Sequence, residues 1–424
     1  MCEGHRLLFR LLVLTAALTG LSHAAMELVT MPGAVAQWGA RCLDGSPAAY
    51  YYRAATSAAN ATKWVLFFEG GGGCFTPESC LARAQTRLGS STLMPRTATC
   101  GGPLDEDAAA NDFASWHHVL FAYCDGASFA GAAAEPLRVG RNATVHLRGH
   151  ANFVAAMHEL LAARGLDRAT HVLLTGDSAG GIATFAHADA VAALLPRSVV
   201  RYKAAPMSGL FLRHANVRGA PVYEAQMRRV WAMQNLSATT STRCQAAQAA
   251  GAQHRCVFGA DALPFVATPV FVVNSIYDKW SLNCIWTAEP VRAHAPDACN
   301  CTAVPEWRAC LRTGACSAAQ WARLNRDWGD DFRATLAANR ALTAPGNGVY
   351  AYSCYDHGAE LTAQWNTLRV GGVSVREALT RWFFSDGEPA ARHTYVDCRA
   401  KDSFLCNPTC ATPAAANITR GAFQ

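Results

Sequence analysis

The sequence predicts an α/β protein in which a mostly parallel sheet is covered on both faces by helices. Three observations lead there. Short runs that are nearly all apolar recur along the chain, as strands buried on both faces require. Stretches with apolar residues at helical spacing lie between or after them. Glycine-rich turns follow two of the runs directly, Gly70–Gly73 and Gly176–Gly181.

In chain order, residues 1–24 come first. Arg6 and Arg10 flank the start of an apolar stretch, Leu11–Leu21, and Ser22-His23-Ala24 supplies small residues for cleavage. This pattern predicts a signal peptide, because the apolar run is too short to span a bilayer. No later run is long enough to do so, and no integral membrane segment is expected. Strands are expected at Trp64–Phe68, Val119–Tyr123, His171–Leu174, Val199–Lys203, Val270–Asn274 and Gly348–Ser353. Helices are expected at Asn152–Arg164, Ile182–Leu195, Ser317–Ala341 and Ser374–Phe384. Residues 210–265 lack strand patterning and read as a helical cap or insertion. Residues 393–410 form a Cys-rich close. With no repeat and no long linker, residues 25–424 read as one domain, and a monomer is expected.

Apolar residues make up 51% of the 424, enough for a large core. Seventeen cysteines are present, and Cys2 falls within the signal segment. An even set then remains, which in a secreted chain reads as disulfides. Cys74/Cys80 and Cys244/Cys256 are close enough in sequence to bridge locally. A zinc site at Cys299, Cys301, Cys310 and Cys316 is the rival reading, but the spacing is not C-x2-C. No metal and no cofactor are expected. Sequons at Asn60, Asn142, Asn235, Asn300 and Asn417 agree with a secretory route. The net charge of +6 is mild and comes with no basic run, so nucleic acid is not an expected partner.

The chemistry starts at Gly176-Asp177-Ser178-Ala179-Gly180. This G-x-S-x-G sequence joins a strand-like run to a helix-like one, the setting of a nucleophile elbow. A serine hydroxyl needs a base, and that base needs a carboxylate to hold its tautomer. On an α/β-hydrolase-like sheet the chain order is serine, acid, histidine, with the last two in loops after later strands. Asp278 follows Val270–Asn274, and His357 follows Gly348–Ser353. Asp356 is the runner-up acid, whereas His294 and His393 follow no convincing strand. Tetrahedral intermediates also need N–H donors for the oxyanion. Ala179 would supply one, and the Gly70–Gly73 loop after Trp64–Phe68 another. A phosphate loop is the rival for those glycines, but no G-K-[ST] follows.

Several segments resemble the pectin acetylesterase/Notum family of secreted serine hydrolases. They are PGAVAQWGARCLDGSPAAYY, FFEGGGGC, TRLGSS, YCDGASFAG, RGHANF, GDSAGG, TPVFVVNSIYDKW, SCYDHGAELT and CNPTC, in the family's order and across nearly the whole mature chain. The YCDGASF and CNPTC segments sit nearer the plant-type enzymes. The resemblance implies Ser178 as nucleophile, Asp278 as acid and His357 as base, with the oxyanion hole at Gly71 or Gly72 together with Ala179. By resemblance and loop position, Tyr123, Asp125, Ser128, Trp280 and Trp365 are candidate substrate-binding residues. Plant members usually carry Cys where Asp177 stands, further cysteines where Ala188 and Gly358 stand, and Trp at Gly73. The implied activity is removal of acetyl groups from pectin-type or other acetylated polysaccharides, outside the cell or in the cell wall. The alternatives are a Notum-like fatty-acyl deacylase and an inactive glycan-binding protein on the same scaffold.

Overall fold

A computed structural model of the chain describes residues 25–289, 304–313, 316–398 and 406–410. The predicted signal peptide and the sequons at Asn300 and Asn417 lie outside the described residues, as do His294, Cys299 and Cys301.

Fourteen strands occur among the described residues. They are β1 (Met26–Thr30), β2 (Ala49–Arg53), β3 (Lys63–Phe68), β4 (Thr97–Ala98), β5 (His117–Phe121), β6 (Leu137–Val139), β7 (Ala143–Val145), β8 (His171–Asp177), β9 (Arg201–Met207), β10 (Phe271–Ser275), β11 (Gly348–Tyr352), β12 (Arg369–Val370), β13 (Val373–Ser374) and β14 (Thr394–Val396). Ten of them form one sheet in the order β14-β11-β10-β9-β8-β3-β5-β2-β1-β4. From β14 to β5 every neighbour pair is parallel, and the β5-β2-β1-β4 edge is antiparallel. The pairs β6-β7 and β12-β13 are separate hairpins. This is an α/β-hydrolase-like fold: a mainly parallel sheet between helices, stapled by disulfides.

Alternate side chains of the same strands feed opposite layers. Val65, Phe67, Leu173 and Val273 pack on one face with Trp365 and Trp382. Trp64, Leu66, Phe68, Val172 and Leu174 pack on the other with Phe153 and Met157. Both faces are covered, which is why these runs carry no polar alternation.

The antiparallel edge was not among the expected strands. Its β2 reads Ala-Tyr-Tyr-Tyr-Arg, and Arg53 is buried there by donating to the Ala114 carbonyl at 2.6 Å. No run of aliphatic residues marks it. The strand expected at Val119–Tyr123 lies two residues earlier, because its pairing with β3 starts at His117. The strand at Arg201–Met207 extends past the expected end through small residues held between β8 and β10. The long helix expected at Ser317–Ala341 is a run of Ala318–Leu324, a wider turn Asn325–Gly329, and Asp330–Ala338. Between residues 210 and 265 only helical elements occur, the longest being Val222–Met233.

The structure joins Cys74–Cys80 and Cys244–Cys256, the two local pairs. It also joins Cys42–Cys124, Cys310–Cys316, Cys354–Cys410 and Cys398–Cys406. The bridge at Cys310–Cys316 takes two sulfurs away from the zinc alternative.

Candidate active site

The register of the sheet places four loops at one edge. Phe68 of β3 pairs with Gly176 of β8, Asp177 of β8 with Met207 of β9, and Met207 with Val273 of β10. Ser275 of β10 pairs with Tyr352 of β11. Gly70–Gly73, Ser178, Asp278 and His357 therefore leave the carboxyl ends of neighbouring parallel strands.

Ser178 sits at φ 58°, ψ −116°, a strained conformation for a residue with a side chain, between β8 and the helix Ala179–Leu194. The turn closes only because its neighbours lack side chains. A β-carbon on Gly180 would stand 1.9 Å from the Phe68 carbonyl oxygen, and one on Gly176 2.4 Å from the Gly180 carbonyl oxygen. The helix thereby packs directly on the backbone of β3 and delivers the serine hydroxyl to the loop edge.

His357 Nε2 lies 2.8 Å from Ser178 Oγ, and His357 Nδ1 lies 2.5 Å from Asp278 Oδ2. This network sets the tautomer: Nδ1–H donates to the carboxylate, and Nε2 accepts from the serine hydroxyl. Asp278 is fully buried, and its other oxygen accepts from the Ser281 N–H at 2.6 Å, which fixes the carboxylate's aim. Burial alone would lower the basicity of His357. The Asp278 charge and hydrogen bond, then the charges of Asp177 and Glu360, outweigh it and push the imidazole up to about 9. Asp356, the runner-up acid, is engaged elsewhere: one oxygen accepts from the His357 backbone N–H and the other from Gln364 Nε2. His393 is buried beneath β14, away from this edge.

The carbonyls of the glycine loop are held by side-chain donors. Gly71 O accepts from Arg83 at 2.9 Å, and Gly72 O accepts from the Tyr123 hydroxyl at 2.7 Å. Among the described residues every peptide bond is trans, so the N–H groups of Gly72 and Gly73 point the opposite way from those carbonyls. Among the described residues no acceptor is found for them. The first N–H groups of a helix have no intrahelical partner, which leaves Ala179 N–H available as well. Gly72, Gly73 and Ala179 line a cavity that opens at Ser178. Gly71 does not line it, and packs against Leu88 instead. Glu69 anchors the loop from below: one oxygen accepts from the Tyr123 N–H and the other from Arg87 at 2.7 Å.

The cavity has a volume of about 50 Å3. Its walls are almost wholly apolar, with Ile182, Phe211, Met227, Val230 and Trp280 among them. At roughly 10–15 Å3 per water, it has room for a few waters. Helix Val222–Met233 supplies the far wall from Tyr223, Met227 and Val230, one face at i, i+4, i+7 spacing. Trp280 packs edge-on to Phe211 at 4.7 Å.

Of the five candidate substrate-binding residues, three line the cavity: Tyr123, Ser128 and Trp280. Tyr123 spends its hydroxyl on the Gly72 carbonyl and the Ser128 N–H, so its polar contacts hold the loop. The other two are corrected. Asp125 is fully buried and accepts from the N–H groups of Ala127 and Phe129, both at 3.0 Å, which makes it the brace of the YCDGASF turn. Burial raises its carboxyl to about 6. Trp365 is 1% exposed and belongs to the core beside Leu368 and Trp382. A short helix, Gln364–Thr367, turns it inward. Sequence reading missed Arg83, Phe211 and Met227. No motif marks them, and Met227 shows only as one apolar position on an amphipathic helix. A trio of potential metal ligands among the described residues, Asp397, Cys398 and Cys406, lies in the Cys-rich close, where its two sulfurs are bonded to each other.

A family profile described as Pectinacetylesterase matches residues 21–411. The chain belongs to the pectinacetylesterase family. It is 32% identical over 380 residues to pectin acetylesterase 4 of Arabidopsis thaliana, covering 88% of this chain and 85% of that one. It is 28% identical over 396 residues to the palmitoleoyl-protein carboxylesterase NOTUM of Mus musculus, covering 88% of this chain and 70% of that one. Among solved structures, the Wnt deacylase Notum from Drosophila superposes with a TM-score of 0.73 at 23% identity, over 92% of this chain and 100% of that one. That likeness supports the fold. Membership makes this pectinacetylesterase-family protein a carboxylic ester hydrolase. Among its described residues no helix is long and apolar enough to cross a membrane.

Proposed function

We propose that the protein is a secreted serine esterase that removes O-acetyl groups from pectin-type or other acetylated polysaccharides, using Ser178, His357 and Asp278. The observation that carries this reading is the unbroken contact chain from Ser178 Oγ through the imidazole to Asp278, at the mouth of a small apolar cavity.

In this reading Ser178 Oγ attacks the acetyl carbonyl carbon while His357 Nε2 takes the hydroxyl proton. The carbonyl oxygen becomes an oxyanion and is met by N–H groups of Ala179 and the Gly72 region. As the tetrahedral species collapses, the imidazolium returns the proton to the departing sugar oxygen. Water, deprotonated by the same imidazole, then releases acetate from the acyl-enzyme. Asp278 holds the ring and balances its transient positive charge without taking the proton itself. The acyl methyl group fits the apolar cavity, and the polysaccharide lies outside it. No cofactor enters the scheme.

A second reading, hydrolysis of longer acyl esters as the name of the mouse relative states, draws on one observation: the cavity walls are nearly all apolar. Acetate release from a panel of acetylated polysaccharides, run beside a palmitoleoylated peptide and an ester series of rising chain length, tests both. Turnover of acetylated polymer is expected. A strong preference for esters of eight or more carbons would overturn the acetyl reading. Failure of a fluorophosphonate to label the protein would favour the inactive glycan-binding alternative. Secretion is tested by following the full chain in a eukaryotic host. Asn142 and Asn235 are exposed and offer the most accessible glycan positions, with Asn60 partly covered.

A further inference from the structure

The glycine loop carries peptide N–H groups that the reaction scheme needs, yet its two central peptide units make no backbone hydrogen bond among the described residues. Gly71 sits at φ 138° and Gly72 at φ 68°. A peptide unit with glycine on both sides meets no β-carbon as it turns over. The Gly71–Gly72 and Gly72–Gly73 units can therefore each exchange the directions of C=O and N–H at little steric cost. Two side chains hold one orientation. Arg83 donates through Nη1 to Gly71 O at 2.9 Å and through Nε to Leu88 O at 3.0 Å. Its guanidinium lies over the Tyr123 ring, 4.9 Å from the centroid. Tyr123 is fully buried, and its hydroxyl accepts from the Ser128 N–H at 3.0 Å, which leaves its hydrogen for the Gly72 carbonyl at 2.7 Å. Ser128 itself sits at φ 54°, between two residues whose N–H groups are both held by Asp125. Arg83 ends the helix Pro77–Arg83, and the Cys74–Cys80 bridge ties that helix to the end of the loop. The loop passes close to the serine: a β-carbon on Gly70 would stand 3.0 Å from Ser178 Cβ.

We propose that Arg83 and Tyr123 are positioning residues of the oxyanion hole, each selecting the orientation of one peptide unit so that the Gly72 and Gly73 N–H groups face the cavity at Ser178. In a planar trans peptide, a carbonyl fixed to Arg83 turns the Gly72 N–H to the opposite side, and a carbonyl fixed to Tyr123 does the same for the Gly73 N–H. Were either unit to turn over, a carbonyl oxygen would replace an N–H beside the developing oxyanion, and attraction would become repulsion. Donation to a peptide carbonyl also polarises the unit and strengthens its N–H as a donor. The charge on Arg83 makes its hydrogen bond the stronger of the two. Burial pushes the Tyr123 phenol up, so it keeps the hydrogen that it donates. Both side chains act through the glycine peptides rather than on the reacting atoms. The kinetic half of this inference rests on the esterase reading; the clamp on the two peptides does not.

Tyr123→Phe removes one clamping donor and keeps the ring, and Arg83→Met removes the other. Each is expected to lower kcat on an acetyl ester by about 10^2-fold, the cost of one oxyanion donor, with KM nearly unchanged. The second readout is a trifluoromethyl ketone. Ser178 Oγ bonds to its carbonyl carbon, the serine proton passes to His357, and the carbonyl oxygen becomes the oxyanion with no leaving group to expel. Its affinity is expected to fall in the same proportion as kcat/KM. A purely structural role would reduce the amount of active protein and leave the ketone's Kd where it was. Unchanged kcat, or lost kcat with undiminished ketone affinity, would overturn the proposal. Should Arg83→Met not fold, Tyr123→Phe, which removes a single oxygen, decides. A crystal structure of the Tyr123→Phe protein gives a readout that needs no turnover. The Gly72 carbonyl is expected to leave its present direction, and an unmoved Gly72–Gly73 peptide would overturn the clamp. If the unaltered protein neither hydrolyses the ester nor binds the ketone, the esterase reading fails, and that crystal structure alone decides the clamp.

Discussion

Gly180 shows how tightly single residues are held at this site. The Phe68 carbonyl occupies the place of any β-carbon there, so Gly180→Ala must push the nucleophile helix off β3. A loss of at least about 2–3 kcal/mol is expected from such overpacking, read as a lower midpoint in denaturant unfolding. Ser178→Ala is the opposite case. It removes the attacking oxygen and leaves the packing intact, so unfolding should be unchanged while kcat falls by roughly 10^4–10^6-fold. Asp278→Asn would let the ring settle in the wrong tautomer, at a cost of about 10^4-fold in kcat. The proposed triad was legible because a serine after one parallel strand, an acid after another and a histidine after a third follow the chain order of an α/β-hydrolase-like sheet. It did not show that Asp125 and Trp365 turn inward. A loop aspartate and a loop tryptophan carry the same letters whether they face substrate or core, and only the Ala127 and Phe129 N–H groups, or the packing of Trp382, decide.

At the scale of elements, helix Val222–Met233 lines the cavity beside Ser178 with Tyr223, Met227 and Val230. Met227 is 8% exposed and lines the cavity that Ser178 also lines. Met227→Ala is expected to lengthen the cavity and shift the preference in an ester series from two carbons toward four to eight, with turnover of acetyl esters retained in part. An unchanged chain-length profile would mean that another wall sets the limit. This helix was legible only as absence of strand pattern between 210 and 265, because cap segments are amphipathic and short and nothing in their spacing says what they cover. The parallel strands were legible because burial on both faces leaves them almost without polar residues. The antiparallel edge was not, because Tyr50, Tyr51 and Arg53 are buried through hydroxyl and guanidinium partners far away in sequence, such as Glu159, Pro95 and Ala114.

For the molecule as a whole, proton linkage ties the site to stability. Glu360 is raised from 4.5 to about 8 and His357 from 6.5 to about 9, so the folded state holds both protons more tightly than the unfolded chain. Their contribution is fully present below the unfolded values and is lost as pH rises through the folded ones. The thermal midpoint is therefore expected to decline between pH 6.5 and 9, less steeply in Glu360→Gln, as followed by circular dichroism. The raised imidazole also predicts that kcat/KM climbs with pH above 6.5 before levelling. All of this depends on one hydroxyl being made reactive by an imidazole delivered from a strand three places along the sheet. The most direct test is labelling of the full chain by a fluorophosphonate, followed by peptide mapping. A single adduct on Ser178, lost in both Ser178→Ala and His357→Ala, is the predicted result. An adduct on any other residue, or undiminished labelling after removal of the imidazole, would contradict the account.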